Sequence, residues 1–271
     1  MSLESRRRTF HQLHQSGCFV MPNPWDIGGA RALASLGFKA LATTSAGFAW
    51  SIGRSDQGVS LDEALAHLHM MSAAVDLPFN ADFEGGFAVE PEGVAANVAR
   101  AVTTGIAGLS IEDSTGNAAD PLFEFSLAVA RVRAARRSID ESGTGVLLTG
   151  RSEGFITGRP DLAETIKRLV AYADAGADCL YAPGLKSMSD VTAVVAAVAP
   201  KPVNVLVHAP FATVAQLADA GVRRISVGGA LARVAWTGLL DAAQEIASNG
   251  SFSRLGGTRP GTELNAMFRE T

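Results

Sequence analysis

The chain has 271 residues, 47% of them hydrophobic and 18% charged, with a formal net charge of −4. That balance excludes global disorder and is enough for one large α/β domain. It also excludes a nucleic-acid-binding face, since the only basic run is Arg6-Arg7-Arg8 in a polar leader, and no apolar run is long enough for a membrane span or a signal segment, so the chain reads as soluble and cytoplasmic.

From Cys18 onward, short apolar strands alternate with longer helical patterns. Cys18–Met21 reads as a strand broken by Pro22-Asn23-Pro24, with a helix over Trp25–Leu36 stopped by Gly37. Phe38–Thr43 is the next strand, and Ser60 caps a helix from Leu61 to Val75. Phe79–Phe83 comes next, with a helix from Pro91 to Thr104 that has proline at its first position. Leu109–Asp113, Val146–Thr149, Cys179–Ala182, Val203–Val207 and Arg224–Val227 are the remaining strands. Helices are expected behind them over Leu122–Ser142, Asp161–Ala175, Val191–Val198, Phe211–Ala220 and Ala230–Ala247. Eight strand–helix units of this size predict a (β/α)8 barrel. Residues 1–249 form its single domain, and 250–271 a glycine-rich linker and terminal arm that packs on a neighbouring subunit. Cys18 and Cys179 both fall in strands and read as buried free thiols, ahead of a disulfide or a metal pair.

Catalytic groups of such a barrel sit at the C-terminal ends of the strands. Strand three ends in Asn80, Asp82 and Glu84, which alternation places on one side, with Gly85-Gly86 next in the chain. Asp56, Asp82 and Glu112 come from three adjacent loops, and converging carboxylates without histidine or cysteine suit Mg²⁺. Arg151, after strand five beside Glu153, is placed to clamp a substrate carboxylate through two parallel hydrogen bonds. Ser45, Ala46 and Gly47 offer a hydroxyl and backbone N–H groups to the same anion. Taken singly, each of these residues has a plain structural alternative, a loop-capping acid or a surface arginine. Their joint placement at one end of the barrel favours a site. His208 and Tyr181 lie at the ends of strands seven and six, each with a hydrogen-bonded structural role as the alternative; Lys186 reads as a solvated loop charge.

Several stretches together resemble the isocitrate lyase / phosphoenolpyruvate mutase superfamily over nearly the whole chain. They are Pro22-Asn23-Pro24-Trp25-Asp26, Thr44-Ser45-Ala46-Gly47, Asn80-Ala81-Asp82-Phe83-Glu84-Gly85-Gly86-Phe87, Ser110-Ile111-Glu112-Asp113, Gly150-Arg151-Ser152-Glu153 and Pro202-Val203-Asn204. The resemblance implies a Mg²⁺-binding (β/α)8 barrel that makes or breaks C–C or P–C bonds next to a 2-oxo acid. It also implies a homo-oligomer, a dimer or tetramer in which the last barrel helix is exchanged. By motif, Ser45, Ala46 and Gly47 would hold the carboxylate and oxo group of a 2-oxo or 2-hydroxy acid or a phosphonate. Asp56, Asp82 and Glu112 would hold the hydrated metal, Arg151 a carboxylate, and Asn204 would lie near the substrate's far end.

Three departures from the family pattern refine that expectation. Asn80 stands where the family usually carries a metal-binding aspartate; its amide oxygen can still ligate Mg²⁺, with less charge, so an aspartate there is expected to tighten the metal. The loop Ser114–Asp120 lacks the cysteine, lysine and histidine of the lyase gating loop, which argues against isocitrate or methylisocitrate cleavage; Asn117 stands in for the gate-loop asparagine of phosphonomutases. The glutamate that the lyases carry after strand six is replaced around Pro183-Gly184. The leading reading is a Mg²⁺-dependent lyase or mutase working through an enolate. The alternatives are a barrel that binds 2-oxo acids without turnover, and a phosphate-binding barrel using Gly228-Gly229.

Overall fold

The computed structural model describes residues 1–269. Eight parallel strands lie in the order β1-β8-β7-β6-β5-β4-β3-β2. They are β1 (Phe19–Met21), β2 (Leu41–Ala42), β3 (Phe79–Asp82), β4 (Gly108–Glu112), β5 (Leu147–Arg151), β6 (Cys179–Tyr181), β7 (Val203–Leu206) and β8 (Arg224–Ser226). The seam between β1 and β2 is bridged where the Ala42 N–H donates to the Pro22 carbonyl at 3.1 Å. All eight expected strands are present, each within a few residues of its expected bounds, and the parallel (β/α)8 architecture holds.

The helices behind the strands obey their local signals. α4 (Leu61–Ala74) starts in a full capping box between Ser60 and Glu63, α5 (Pro91–Ala101) has its proline in the first turn, and α7 (Leu162–Asp174) is capped by Asp161. α2 (Ile27–Ser35), α6 (Phe125–Ser142), α8 (Met188–Val198), α9 (Val214–Asp219) and α10 (Ala230–Asn249) match expected helices.

Three helices are not expected from the sequence: α1 (Leu3–Gln15), α3 (Ser45–Ser51) and α11 (Gly261–Met267). The residues of α1 read as a polar leader because they are strongly charged. Its large apolar residues are only Leu3, Phe10 and Leu13, yet Phe10 is fully buried with Phe19 and Met21 under the barrel. Arg7 reaches past it to the carbonyls of Ile106 and Val102 at 3.0 and 2.9 Å. The helix therefore plugs the N-terminal end of the barrel with one phenylalanine and a set of arginine–carbonyl bonds.

Apolar residues of the strands' outer faces and the helices make one large core, including Phe83, Ile111, Leu148, Leu180, Val205 and Ile225. The inward faces differ. Asn80, Ser110, Thr149, Asn204, Arg224 and Ser226 are buried polar residues, where barrels of this type usually stack branched aliphatics. Such a polar interior is stable only if its groups pair with one another.

Candidate active site

Asp82 ends β3 and is the hub of the strand-end acids. Its Oδ2 accepts from the Ser45 N–H at 3.0 Å and the Ser45 hydroxyl at 2.9 Å, and its own N–H donates to Thr43 Oγ1 at 2.9 Å. Arg151 ends β5 and spends its whole fork on acids. Nη1 is 2.7 Å from Asp82, Nη2 is 3.1 Å from Glu112, and Nε is 2.9 Å from Glu153. Burial opposes charging Arg151, but Glu153, Glu112 and Asp82 outweigh it and hold the guanidinium well above its ordinary pKa. One cation does not neutralise three buried acids. Glu112 accordingly stays raised well above the carboxylate range, by burial first and then by Glu153 and Asp82 against the pull of Arg151. Burial, Asp82 and Asp56 push Glu84 up to about 7. Asp56 is raised by burial and by Asp82.

Two further devices set these acids in place. Arg131, 1% exposed, stacks over Phe123 and donates to the carbonyls of Glu112, Ala88 and Gly85, tying the ends of β3 and β4 together. Asp113, on the opposite face from Glu112, accepts from the Glu153 N–H at 2.7 Å, the Tyr172 hydroxyl at 2.6 Å and Arg168 at 3.1 Å. It locks β4, β5 and α7 and points away from the reaction side.

The barrel mouth opens into a cavity of about 440 Å³. Ser45, Ala46, Asp56, Asn80, Asp82, Arg151 and Asn204 all line it, so the structure brings together most of the residues singled out in the sequence. Gly47 sits behind it: a Cβ there would stand 2.6 Å from the Thr44 methyl and 3.1 Å from Trp25, so glycine is needed for packing, and its N–H caps onto Thr44 Oγ1. Glu112 reaches the site through Arg151. Asn117 is not brought to the cavity. Its loop is closed by a bridge between Ser114 and Leu122, and its side-chain oxygen accepts from the Ala119 N–H at 3.0 Å. Gly228 does not offer a phosphate nest, because Asn23 Oδ1 takes the N–H groups of Val227 and Gly228 at 3.0 and 2.9 Å.

The cavity also contains residues that the strand-end rule misses or leaves open: Trp50, Tyr181, His208, Arg224 and Arg233. Tyr181 lies under the Arg151 guanidinium, 5.1 Å from ring centre to carbon. His208 has no partner for Nδ1, and its backbone carbonyl accepts from Arg233 at 2.9 Å. Burial, then Arg233 and Lys186, lower its pKa, so its ring is neutral at pH 7.

Among the described residues no three histidine, cysteine or carboxylate side chains form a direct metal cage. The charge balance nevertheless fits a hydrated hard cation. Asp56, Asp82, Glu84 and Glu112 outnumber Arg151, and Mg²⁺ keeps several waters and needs only one or two carboxylates.

A family model for phosphoenolpyruvate phosphomutase matches residues 10–247. An uncharacterised protein of Mycobacterium tuberculosis is 35% identical over 222 residues, 81% of each chain. An oxaloacetate decarboxylase of Paraburkholderia xenovorans is 30% identical over 259 residues, covering 90% of this chain and 82% of that one. A crystal structure from Burkholderia cenocepacia, provisionally described as a lyase/mutase, superposes with a TM-score of 0.95 at 43% identity over 98% of each chain.

Proposed function

Because the chain belongs to the phosphoenolpyruvate mutase/isocitrate lyase superfamily, whose members are lyases and mutases of 2-oxo acids, we propose that it is a Mg²⁺-dependent carbon–carbon lyase that decarboxylates a short 2-oxo dicarboxylic acid such as oxaloacetate. The observation that carries this reading is the cavity lining, which combines acids and arginines with one histidine and neither cysteine nor lysine. Retro-aldol cleavage needs a base to take a hydroxyl proton and an acid to protonate the departing carbanion. Decarboxylation needs no base. The C–C electron pair moves into the 2-oxo group, CO₂ leaves, and the resulting enolate takes one proton at carbon.

Asp56, Asp82 and Glu112 would hold the hydrated ion, with Glu84 behind them. Bound Mg²⁺ supplies Lewis-acid stabilisation of the charge on the 2-oxo oxygen. Asn80 is not in this set, since its side-chain oxygen faces Arg224, 3.5 Å from Nη1. Ser45 turns its N–H and hydroxyl to Asp82, so the donor edge left for the substrate would be that of Ala46 beside it, and Arg151 holds Asp82 and Glu112 in register. His208 lines the same cavity with an unpartnered Nδ1; as a neutral ring it would relay the proton, taking one from solvent at one ring nitrogen as the other nitrogen gives its own to the enolate carbon.

The test is a panel of oxaloacetate, isocitrate, 2-methylisocitrate and phosphonopyruvate, with pyruvate or glyoxylate release measured in the presence and absence of EDTA. Oxaloacetate is expected to turn over fastest, in a chelator-sensitive way. Faster turnover of another compound would replace decarboxylation. Protection against unfolding with no turnover of any would favour a binding barrel, the reading suggested by the thiol-free loop Ser114–Asp120.

We also propose a homo-oligomer built on α10. Ala232 is its one buried residue, whereas Val234, Leu239 and Leu240 are 69%, 57% and 60% exposed, which leaves large apolar side chains uncovered on a helix that should cover a barrel. Light scattering is expected to give at least a dimer, and Leu239→Glu/Leu240→Glu a smaller species. A wild-type monomer at micromolar concentration would remove this proposal.

A further inference from the structure

We infer that Arg224 is the anion-binding residue at the cavity floor, taking one carboxylate of a dicarboxylate substrate. The inference rests on the 2-oxo diacid reading above and names the group that would select a diacid over a monoacid.

Arg224 opens β8 and points into the barrel, while its neighbour Arg223 points out to the Gly17 carbonyl. It is 1% exposed. Its partners are all neutral. Nε donates to Asn204 Oδ1 at 2.9 Å, Nη2 to Thr149 Oγ1 at 3.0 Å, and Nη1 approaches Asn80 Oδ1 at 3.5 Å and His14 Nε2 at 3.3 Å. The His14 Nδ1–H donates to the Phe10 carbonyl at 2.8 Å, which leaves Nε2 bare to accept. Burial, then the Arg224 charge, holds His14 down to about 3, so that tautomer persists at neutral pH.

These contacts use four of the five guanidinium N–H groups and none of them supplies a negative charge. An isolated buried charge is costly, and a guanidinium held among amides, a hydroxyl and an imidazole is incompletely compensated. Every other buried arginine facing the site is spent: Arg151 on three carboxylates, Arg131 on three carbonyls. Arg224 lines the same cavity. Its contacts Asn80 and Thr149 lie two residues before Asp82 and Arg151 on β3 and β5, so it sits roughly 6–7 Å deeper than the acids. An anion entering past the acid ring meets this unpaired cation.

The floor is also rigid. Asn204 Nδ2 donates to Ser226 Oγ at 2.9 Å and Asn80 Nδ2 to the Ala81 carbonyl at 3.1 Å, so both amides keep their oxygens on Arg224. A Cβ on Gly108 would come within 2.7 Å of Asn80 Oδ1 and 2.6 Å of Phe10, so the backbone of β4 closes the remaining space. Asn80 is thus part of the Arg224 cradle, and its neutrality leaves the cation free. An aspartate at position 80 would quench it with a built-in carboxylate.

That gives a test which does not depend on turnover. Malonate and pyruvate are titrated calorimetrically into the full-length protein with equal Mg²⁺ in both solutions. Wild type is expected to bind malonate more tightly than pyruvate; equal or reversed affinity overturns the inference. Arg224→Gln is expected to weaken malonate at least tenfold and pyruvate less than twofold, and parallel losses overturn it. Should that variant melt too low to titrate, Asn80→Asp decides. It is expected to melt at or above the wild-type temperature, as the new carboxylate pairs with Arg224, and to lose malonate affinity at least tenfold. Undiminished malonate binding by Asn80→Asp overturns the assignment. Failure of oxaloacetate turnover with malonate preference intact would sink the decarboxylase reading and leave Arg224 standing.

Discussion

Asp82→Ala is expected to lower kcat/KM by roughly two to four orders of magnitude, about 3–5 kcal/mol of transition-state stabilisation, and to weaken Mg²⁺ at least tenfold by calorimetry. Asp82 is where the acids, the arginine and the donor edge meet. One oxygen faces Arg151 and the other takes both donors of Ser45. Alanine therefore removes an acid from the cation site and releases Ser45 from its orientation in the same step. The fold should survive, because Arg151 keeps Glu112 and Glu153, and losing one of three acids around one guanidinium relieves repulsion among those left. A melting temperature near wild type with lost activity separates this outcome from unfolding. Unchanged Mg²⁺ affinity would take Asp82 out of the metal site.

The eight strands are legible in the sequence because each is a short apolar run bounded by glycine, proline or a capping residue, and the strand-end rule then locates Asp82, Glu112 and Arg151. α3 is not legible, because Ser45–Ser51 is too short to show a helical period and reads as the loop after β2. Arg224 escapes the strand-end rule for a different reason. That rule points to the C-terminal end of each strand, whereas Arg224 begins one. The signal is present in alternation: Arg224 and Ser226 share a face of β8, so a charge on the inward side is predictable. Which of Arg223 and Arg224 points inward cannot be read from an Arg-Arg doublet without the register to Phe19 and Asn204. Asn80 shows the limit of motif transfer. Its place in the motif suggests a metal ligand, and nothing in the motif shows that its amide oxygen also lies 3.5 Å from Nη1 of Arg224, 144 residues away.

Arg151→Lys is expected to cost both activity and stability, and the split between them identifies its role. The guanidinium meets three carboxylates with three different nitrogens at 2.7, 3.1 and 2.9 Å. Lysine brings a single nitrogen to the end of its chain, so it can satisfy one or two of these acids and leaves at least one buried carboxylate without its partner. Breaking a buried pair in this way costs about 3–5 kcal/mol, softened here because Glu112 is already pushed toward protonation and can take up a proton instead. A fall in the urea midpoint is therefore expected, smaller at pH 5 than at pH 8, because Glu112, held above the carboxylate range by burial, takes up a proton more readily at the lower pH. A clamp on substrate alone predicts something else: a loss of about 1–3 kcal/mol in kcat/KM with the midpoint unchanged at both pH values. The present geometry leaves Arg151 no free fork for an anion while its three acids are charged and in place. Its expected effect on turnover thus runs through Asp82 and Glu112, and Mg²⁺ affinity should shift with it. A variant with wild-type Mg²⁺ affinity, wild-type midpoint and reduced kcat/KM would show that Arg151 leaves its acids to bind substrate directly.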